Sequence, residues 1–279
     1  MKKYIFILST GRAGSTSMFR YVSQALPYEV PNFKEPHYFL KKNKLPSHIR
    51  LLVDESLSEY EESLRSAPVT VDASCAYFFN AEVFLRAIKD LPGEIFIVYL
   101  YRDPIERMAS FFEERKKKGM NIRNNLYDDM KEAQFYDGDW WEDSYDNVEY
   151  NEVYKMLKNS KFNYIVVNAK DFFSKPKVEV ERVLKFANID TFSLDKVDWV
   201  VRNSSALANI EKNLFFRLVA RPFKILPLGL KQRLWIVLLK IRLHLSHKKR
   251  DSVDRQLIEA YAPKSVEQFR LFKATISDE

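Results

Sequence analysis

Four short runs of mostly apolar residues predict the strands of a sheet. They are residues 4–8, 69–73, 95–101 and 164–168. The third, IFIVYLY, is apolar at every position, which is typical of a central parallel strand covered by helices on both faces. The runs are short and well separated, so each pair of strands must be joined by a long crossover.

The connecting segments carry the signals of helices. A helix is expected to open at Ser15, and Pro104 stands where a first helical turn favours proline. The expected helices cover residues 15–26, 58–67, 80–91, 104–118, 148–159 and 176–187, and the C-terminal third is also expected to be helical. Alternating strands and helices predict an α/β fold with a doubly wound, mostly parallel sheet flanked by helices. A helical C-terminal extension would follow it.

The first strand leads into a loop suited to anions. Gly11 and Gly14 are two of only six glycines in the chain, and the next helix begins directly after them. Glycines let backbone approach a ligand closely, and a helix N-terminus offers free N–H groups and a positive dipole end. Arg12 adds a permanent charge, and hydroxyls follow at residues 15–17. The loop therefore indicates a phosphate or sulfate cradle, with an ordinary strand-to-helix turn as the alternative.

A second candidate anion site follows the third strand. Arg102 is placed at the C-terminal end of that strand, where open α/β sheets bind ligands. Ser110 lies eight residues further on, in the next helix, with Arg107 between them. The alternative is that Arg102 pairs with a nearby acid and Ser110 is an incidental hydroxyl.

Residues 34–39, KEPHYF, contain two candidate general bases. Pro36 disfavours helix at the residue before it, so Glu35 and His37 are expected on a loop. A carboxylate or an imidazole beside a reacting hydroxyl can accept its proton. Asp72 and Ser74, at the end of the second strand, line an acceptor pocket or simply terminate the strand.

The order of these motifs resembles the sulfotransferase family that uses 3′-phosphoadenosine 5′-phosphosulfate (PAPS), over about residues 4–210. The resemblance implies a P-loop-NTPase-like fold and a core at residues 1–210 that binds PAPS. In the family the first loop grips the 5′-phosphosulfate, which implies that role for Arg12, Ala13, Gly14, Ser15, Thr16 and Ser17. Arg102 and Ser110 would grip the 3′-phosphate. A loop that closes over the nucleotide would contain Arg202, Asn203 and Ser204.

The same resemblance implies catalytic roles. Heparan sulfotransferases have a glutamate in a similar Lys-Glu-x-His-x-Phe stretch, so Glu35 is the expected base. Lys34 would touch the transferring group, and His37 is the competing base. Arg12 would stabilise developing charge, although many cytosolic members have lysine there. The expected acceptor is a hydroxyl of a carbohydrate or glycolipid, with a small hydroxylated metabolite as the alternative, and no metal is expected.

The charge of the chain is strongly biased only in a segment near the C-terminus. Residues 212–250 contain eleven Lys or Arg and no Asp or Glu, whereas the rest of the chain has 34 basic and 38 acidic residues. Residues 211–279 are expected to form a basic helical extension packed on the same domain. The alternative is that residues 234–245 lie on anionic lipid. We expect no specific nucleic-acid binding, because the basic segment contains few interleaved aromatics.

Cys75 is the only cysteine, which excludes an intrachain disulfide and a cysteine zinc site. No signal peptide is visible, so the expected location is cytoplasmic, with a peripheral position at the inner membrane face as the alternative. Residues 119–147, which include Trp140 and Trp141, are expected to form a long functional loop.

Two other functions compete with sulfuryl transfer. A P-loop kinase needs a lysine after the second loop glycine and a magnesium-binding aspartate after a strand. No lysine follows Gly14, and Asp103 is the candidate aspartate. A non-catalytic module that binds nucleotides or anionic polymers is the other alternative.

Overall fold

The computed structural model describes residues 1–28, 30, 34–40, 57–117, 148–199, 259–260 and 262–277, with backbone only at 57–59 and 115–117. Elements are numbered in chain order over these residues. The strands are β1 (Lys3–Ser9), β2 (Val69–Asp72), β3 (Glu94–Tyr101) and β4 (Asn163–Asn168). The helices are α1 (Ser15–Ala25), α2 (Leu57–Ser66), α3 (Ala76–Phe79), α4 (Ala81–Ile88), α5 (Pro104–Lys117), α6 (Tyr150–Lys158), α7 (Ala169–Ser174), α8 (Pro176–Phe186) and α9 (Pro263–Ser277).

The four strands form one parallel sheet in the order β2-β1-β3-β4. The chain first moves from β1 to β2 on one side, then returns to β3 on the other side of β1. A crevice therefore opens between the carboxyl ends of β1 and β3, which is where doubly wound sheets bind ligands. The predicted fold class, a doubly wound parallel sheet flanked by helices, is confirmed.

Both faces of β1 are buried, which explains its unbroken apolar run. Ile5 and Ile7 belong to one core cluster, shared with residues of α1 and α8. Tyr4, Phe6 and Leu8 belong to a second cluster, shared with α4, α6 and α9. Because successive side chains of a strand point to opposite faces, β1 contributes to two hydrophobic layers, one on each side of the sheet.

Helix α9 packs on the second layer. Phe272 is fully buried, and its ring centroid lies 4.9 Å from that of Tyr101 and 5.3 Å from that of Tyr154. Ser265 accepts a hydrogen bond from the backbone N–H of Val148 at 3.2 Å. The basic segment 212–250 lies outside the described residues, so its packing and the division at residue 210 stay predictions.

Two short helices were not predicted from the sequence. Helix α3 follows β2 directly, in a stretch of aromatic residues without a clear helical period. Helix α7 follows β4, and the Asn168 side chain caps it by accepting a hydrogen bond from Lys170 N–H at 3.0 Å. Both helices are too short for apolar spacing to indicate them, and the side-chain cap at Asn168 is a local feature that such spacing does not show. Within the described ranges, no helix is long and apolar enough to cross a membrane.

Candidate active site

The loop after β1 turns through two left-handed residues. Arg12 has φ of 68° and Gly14 has φ of 106°, and Ala13 N–H donates to the Thr10 carbonyl at 3.3 Å. Gly14 is the N-cap of α1. Gly14 therefore uses the conformational freedom expected of a glycine. The second left-handed residue is Arg12 rather than Gly11. This turn places the amino end of α1 in the crevice between β1 and β3.

The aromatic ring of Phe173 packs directly against Gly14. A Cβ atom built on Gly14 would lie 2.8 Å from Cζ of Phe173, closer than carbon atoms tolerate. Phe173 belongs to α7, the short helix after β4, so the loop is fixed from a distant part of the chain. Gly14 thus meets two requirements, a left-handed backbone and contact with a ring.

Gly14→Ala is therefore expected to lower the free energy of unfolding by about 1–3 kcal/mol, since it adds backbone strain and overpacks the ring. Gly11→Ala is the matched control, because Gly11 does not have a left-handed backbone and a Cβ there would meet no described atom within 4 Å. Urea denaturation of both variants measures the difference. Equal midpoints for the two variants would contradict this account of the loop.

Arg102 extends from the end of β3 across the crevice. Its Nη1 donates to the Arg12 carbonyl at 2.9 Å, and its Nε lies 3.4 Å from Oε2 of Glu106. The guanidinium stands over the Phe173 ring, 5.9 Å from the centroid. Burial lowers the pKa of Arg102, and Glu106 opposes that shift, yet an arginine keeps its charge in such a setting. Phe173 therefore contacts both the loop and this cation.

Arg12 contacts Ser110 as well as Arg102. Arg12 Nε donates to Ser110 Oγ at 3.3 Å, and Arg12 Nη1 lies 3.6 Å from Oε2 of Glu114. Both partners lie on α5. The structure thus brings the first loop, Arg102 and Ser110 together in one site, where Glu114 and Glu106 pair with the two guanidinium groups.

The residues between Arg102 and Ser110 have structural positions. The Asp103 carboxylate caps α5, since its Oδ1 accepts from Ile105 N–H at 2.9 Å and Glu106 N–H at 3.2 Å. Arg107 is 1% exposed, so its side chain is buried within the protein. Asp103 is therefore already used as a helix cap, which does not favour the magnesium-binding role of the kinase alternative.

Glu35 lies at the centre of a polar cluster beside the loop. It forms an ion pair with Lys34, and its Oε2 lies 3.6 Å from Nε2 of His37. Its Oε1 lies 3.7 Å from the Cys75 sulfur, which in turn lies 3.5 Å from the Ser15 hydroxyl at the start of α1. The candidate bases are thus brought next to the anion loop through Cys75. Nothing in the sequence distinguished this cysteine as a site residue.

Lys34 is held in a largely desolvated position. Burial lowers its pKa from the usual 10.5; the charges of Cys75 and Asp72 oppose this, whereas that of Arg12 lowers the pKa further. The contacts of Cys75 with both Glu35 and the start of α1 place the KEPHYF segment beside the loop. A cation there could face an anion bound between them.

Asp72 and Ser74 are fully buried, so their side chains terminate the strand and do not line an open pocket. Asp72 accepts hydrogen bonds from the Tyr60 hydroxyl at 2.8 Å and the Tyr77 hydroxyl at 2.9 Å. Ser74 donates to the other carboxylate oxygen from its hydroxyl at 2.7 Å and from its N–H at 2.9 Å. Burial raises the pKa of Asp72 to about 6, against the opposing effect of these hydrogen bonds.

The raised pKa predicts a pH effect on stability. Between about pH 4 and pH 6 the folded protein holds a proton on Asp72 that the unfolded chain releases, so stability falls as pH rises. A shift of this size corresponds to roughly 2–3 kcal/mol. Unfolding free energies at pH 4 and pH 7, compared with those of Asp72→Asn, isolate the effect. A wild-type-minus-variant difference that is independent of pH would contradict it.

Several predicted site residues lie outside the described residues. They are Arg202, Asn203 and Ser204, together with the 119–147 segment and its two tryptophans. The part of the chain that the structure describes contains no group of three or more His, Cys, Asp or Glu side chains that could hold a metal ion.

These features define an α/β protein with a P-loop-like turn at the amino end of α1, beside which lie Arg12, Arg102 and the acid–base groups Glu35 and His37. A sequence-family model described as "Sulfotransferase domain" matches residues 2–213. That match covers most of the chain, and the protein belongs to the sulfotransferase family.

One solved sulfotransferase structure shares this fold, and two others are more weakly similar. A sulfotransferase from Alicyclobacillus acidocaldarius superposes with a TM-score of 0.54 at 18% identity, over 78% of this chain and 92% of that one. Mouse sulfotransferase SULT7A1 complexed with PAP gives 0.47 at 16% identity, over 93% and 89%. The sulfotransferase domain of the Synechococcus PCC 7002 olefin synthase gives 0.44 at 17%, over 81% and 96%. No curated protein sequence matches significantly.

Proposed function

We propose that this protein transfers a sulfuryl group from PAPS to a hydroxyl acceptor. The observation that supports the proposal most strongly is the convergence of the first loop, Arg102 and Ser110 at the β1/β3 crevice. A donor with phosphates at both ends of its ribose requires two groups of anion-binding residues, and the loop, Arg102 and Ser110 supply candidates for both. The residues present therefore fit the donor.

In this proposal the two ends of the crevice have different tasks. The amino end of α1 and the loop N–H groups bind the 5′-phosphosulfate, because they present free donors and a positive dipole end. Arg102 and Ser110 bind the 3′-phosphate. Arg12 lies between them, and its guanidinium would move from Ser110 and Glu114 to the developing charge. Arg202, Asn203 and Ser204 would close over the nucleotide.

Bound PAPS supplies an activated sulfuryl group, whose S–O bond to the nucleotide breaks as an S–O bond to the acceptor forms. The protein contributes positioning and electrostatic stabilisation, as in phosphoryl transfer. The Glu35 carboxylate accepts the acceptor's proton, and Lys34 neutralises charge on the transferring group. His37, 3.6 Å from Glu35, is the alternative base.

The acceptor class rests on the KEPHYF stretch. Its likeness to heparan sulfotransferases favours a carbohydrate or glycolipid hydroxyl, and a small hydroxylated metabolite suits the same chemistry. We propose a cytoplasmic enzyme whose basic segment 212–250 can contact an anionic membrane face or an anionic acceptor.

Incubation with ³⁵S-labelled PAPS and a panel of glycans, glycolipids and hydroxylated metabolites tests the function. We expect label to move to an acceptor hydroxyl in the presence of EDTA, with stoichiometric release of PAP measured by mass spectrometry. A protein that neither binds PAP nor transfers label would overturn the proposal. Magnesium-dependent phosphoryl transfer from ATP would favour the kinase alternative.

A further inference from the structure

The buried carboxylate of Asp72 does not touch the candidate donor site, yet its hydrogen bonds lead to the segment that carries Glu35. We propose that Asp72 is a positioning residue, which fixes the backbone of residues 34–40 through Ser74 and Tyr77 and so aims Glu35 at the acceptor hydroxyl. This inference rests on the proposed function for its effect on turnover. The claim that Asp72 fixes the backbone of residues 34–40 does not depend on PAPS binding.

Three hydrogen bonds tie the KEPHYF segment to the end of β2 and the start of α3. His37 N–H donates to the Ser74 hydroxyl at 3.0 Å. Phe39 N–H donates to the Tyr77 hydroxyl at 3.5 Å. Ala73 N–H donates to the Lys34 carbonyl at 2.9 Å. The segment is therefore held on both sides of Glu35.

The two side-chain ties depend on which way each hydroxyl points. Ser74 and Tyr77 both donate their hydroxyl protons to Asp72. Their oxygens are then left with lone pairs only, and these accept the backbone N–H groups of the segment. An ionised carboxylate accepts hydrogen bonds and never donates, so it imposes this direction on both hydroxyls. An amide at position 72 would not impose it.

The segment also needs such support because its backbone is strained. His37 has φ of 52°, a left-handed conformation that non-glycine residues rarely adopt. Strained positions persist where surrounding contacts over-determine them. His37 has that support, since its N–H is bound to Ser74 and its carbonyl accepts from Leu40 N–H at 3.1 Å.

Tyr60 offers a control that distinguishes a positioning role of Asp72 from a purely structural one. Its hydroxyl donates to Asp72 at 2.8 Å, like that of Tyr77, but Tyr60 comes from α2 and makes no hydrogen bond to the segment's backbone among the described contacts. Tyr60→Phe and Ser74→Ala each remove one hydroxyl donor from Asp72. Only Ser74→Ala also removes a tie to the segment.

Hydrogen exchange measured by mass spectrometry tests the structural part. We expect Asp72→Asn and Ser74→Ala to raise exchange rates in peptides covering residues 34–40 by about tenfold or more, with β1 peptides unchanged. Tyr60→Phe should leave those peptides near wild type, and Ser74→Thr should restore them. Unchanged exchange in residues 34–40 for either Asp72→Asn or Ser74→Ala would overturn the proposal, whether or not the protein binds PAP.

Turnover tests the catalytic part, with the acceptor that the wild-type protein labels from ³⁵S-PAPS. Ser74→Ala should lower kcat by about 10–100-fold, as misplacement of a reacting group does. PAP affinity by calorimetry should stay within about twofold of wild type, because the donor site makes no contact with Ser74. Unchanged kcat with faster exchange would overturn the catalytic part. Failure of the wild-type protein to bind PAP would instead refute the proposed function.

Discussion

Arg102→Ala is expected to abolish the rise in thermal midpoint that PAP produces in the wild-type protein. Arg102 is held by the Arg12 carbonyl and the Phe173 ring, so its guanidinium is already oriented toward the crevice. Charge-assisted hydrogen bonds to a phosphate are each worth about 1.5–3 kcal/mol. Losing a bidentate pair should weaken PAP binding about 10²–10⁴-fold, which removes the mass-action stabilisation at moderate ligand concentrations.

Arg86→Ala is the matched control. Arg86 is an exposed arginine on α4 that pairs with Glu82 at 2.6 Å, and it lies outside the candidate donor site. Its replacement should leave the PAP-induced shift intact. Arg102→Lys keeps the charge but loses the planar fork, so it should restore only part of the affinity. A full PAP shift in Arg102→Ala would refute the placement of the 3′-phosphate.

Glu35→Gln is expected to keep PAP binding and to lower turnover by about 10²–10⁴-fold, the usual contribution of a general base. The amide has the same shape, and its oxygen can still accept from Lys34, but it cannot take the acceptor's proton. Calorimetry with PAP and the labelled-transfer assay separate binding from turnover. Undiminished transfer would exclude Glu35 as the base.

Two further variants sharpen that result. Glu62→Gln changes an exposed glutamate on α2 that pairs with Arg65 at 3.4 Å, and it should alter neither quantity. His37→Asn tests the competing base. Loss of turnover in His37→Asn together with normal turnover in Glu35→Gln would assign the base to the imidazole.

The parts of the fold that depend on local chemistry were predictable from sequence. The β1 and β3 runs are apolar on both faces because helices cover the sheet on both sides. The anion loop was recognisable from Gly11, Gly14 and the helix that starts at Ser15. Arg102 was recognisable because it directly follows a strand. Each of these signals lies within a few adjacent residues.

The remaining features depend on contacts between distant segments. The strand order and register pair residues that are far apart in sequence, such as Ser9 with Leu100 and Tyr99 with Val166. The Asp72 cluster draws its donors from two different helices, and Cys75 reaches Glu35 across 40 positions. The spacing of apolar residues along the sequence does not indicate which distant residues will pair. The left-handed backbone of Arg12 is also absent from the sequence pattern, because it depends on how the loop packs.

Titration calorimetry of PAP against adenosine 5′-monophosphate, both in EDTA, tests the central claim most directly. The two nucleotides differ only in the 3′-phosphate, which we assign to Arg102 and Ser110. PAP should bind at least about 30-fold more tightly than adenosine 5′-monophosphate, given the strength of charge-assisted hydrogen bonds. Equal affinities, or no PAP binding by the intact protein, would contradict the assignment of this site to PAPS.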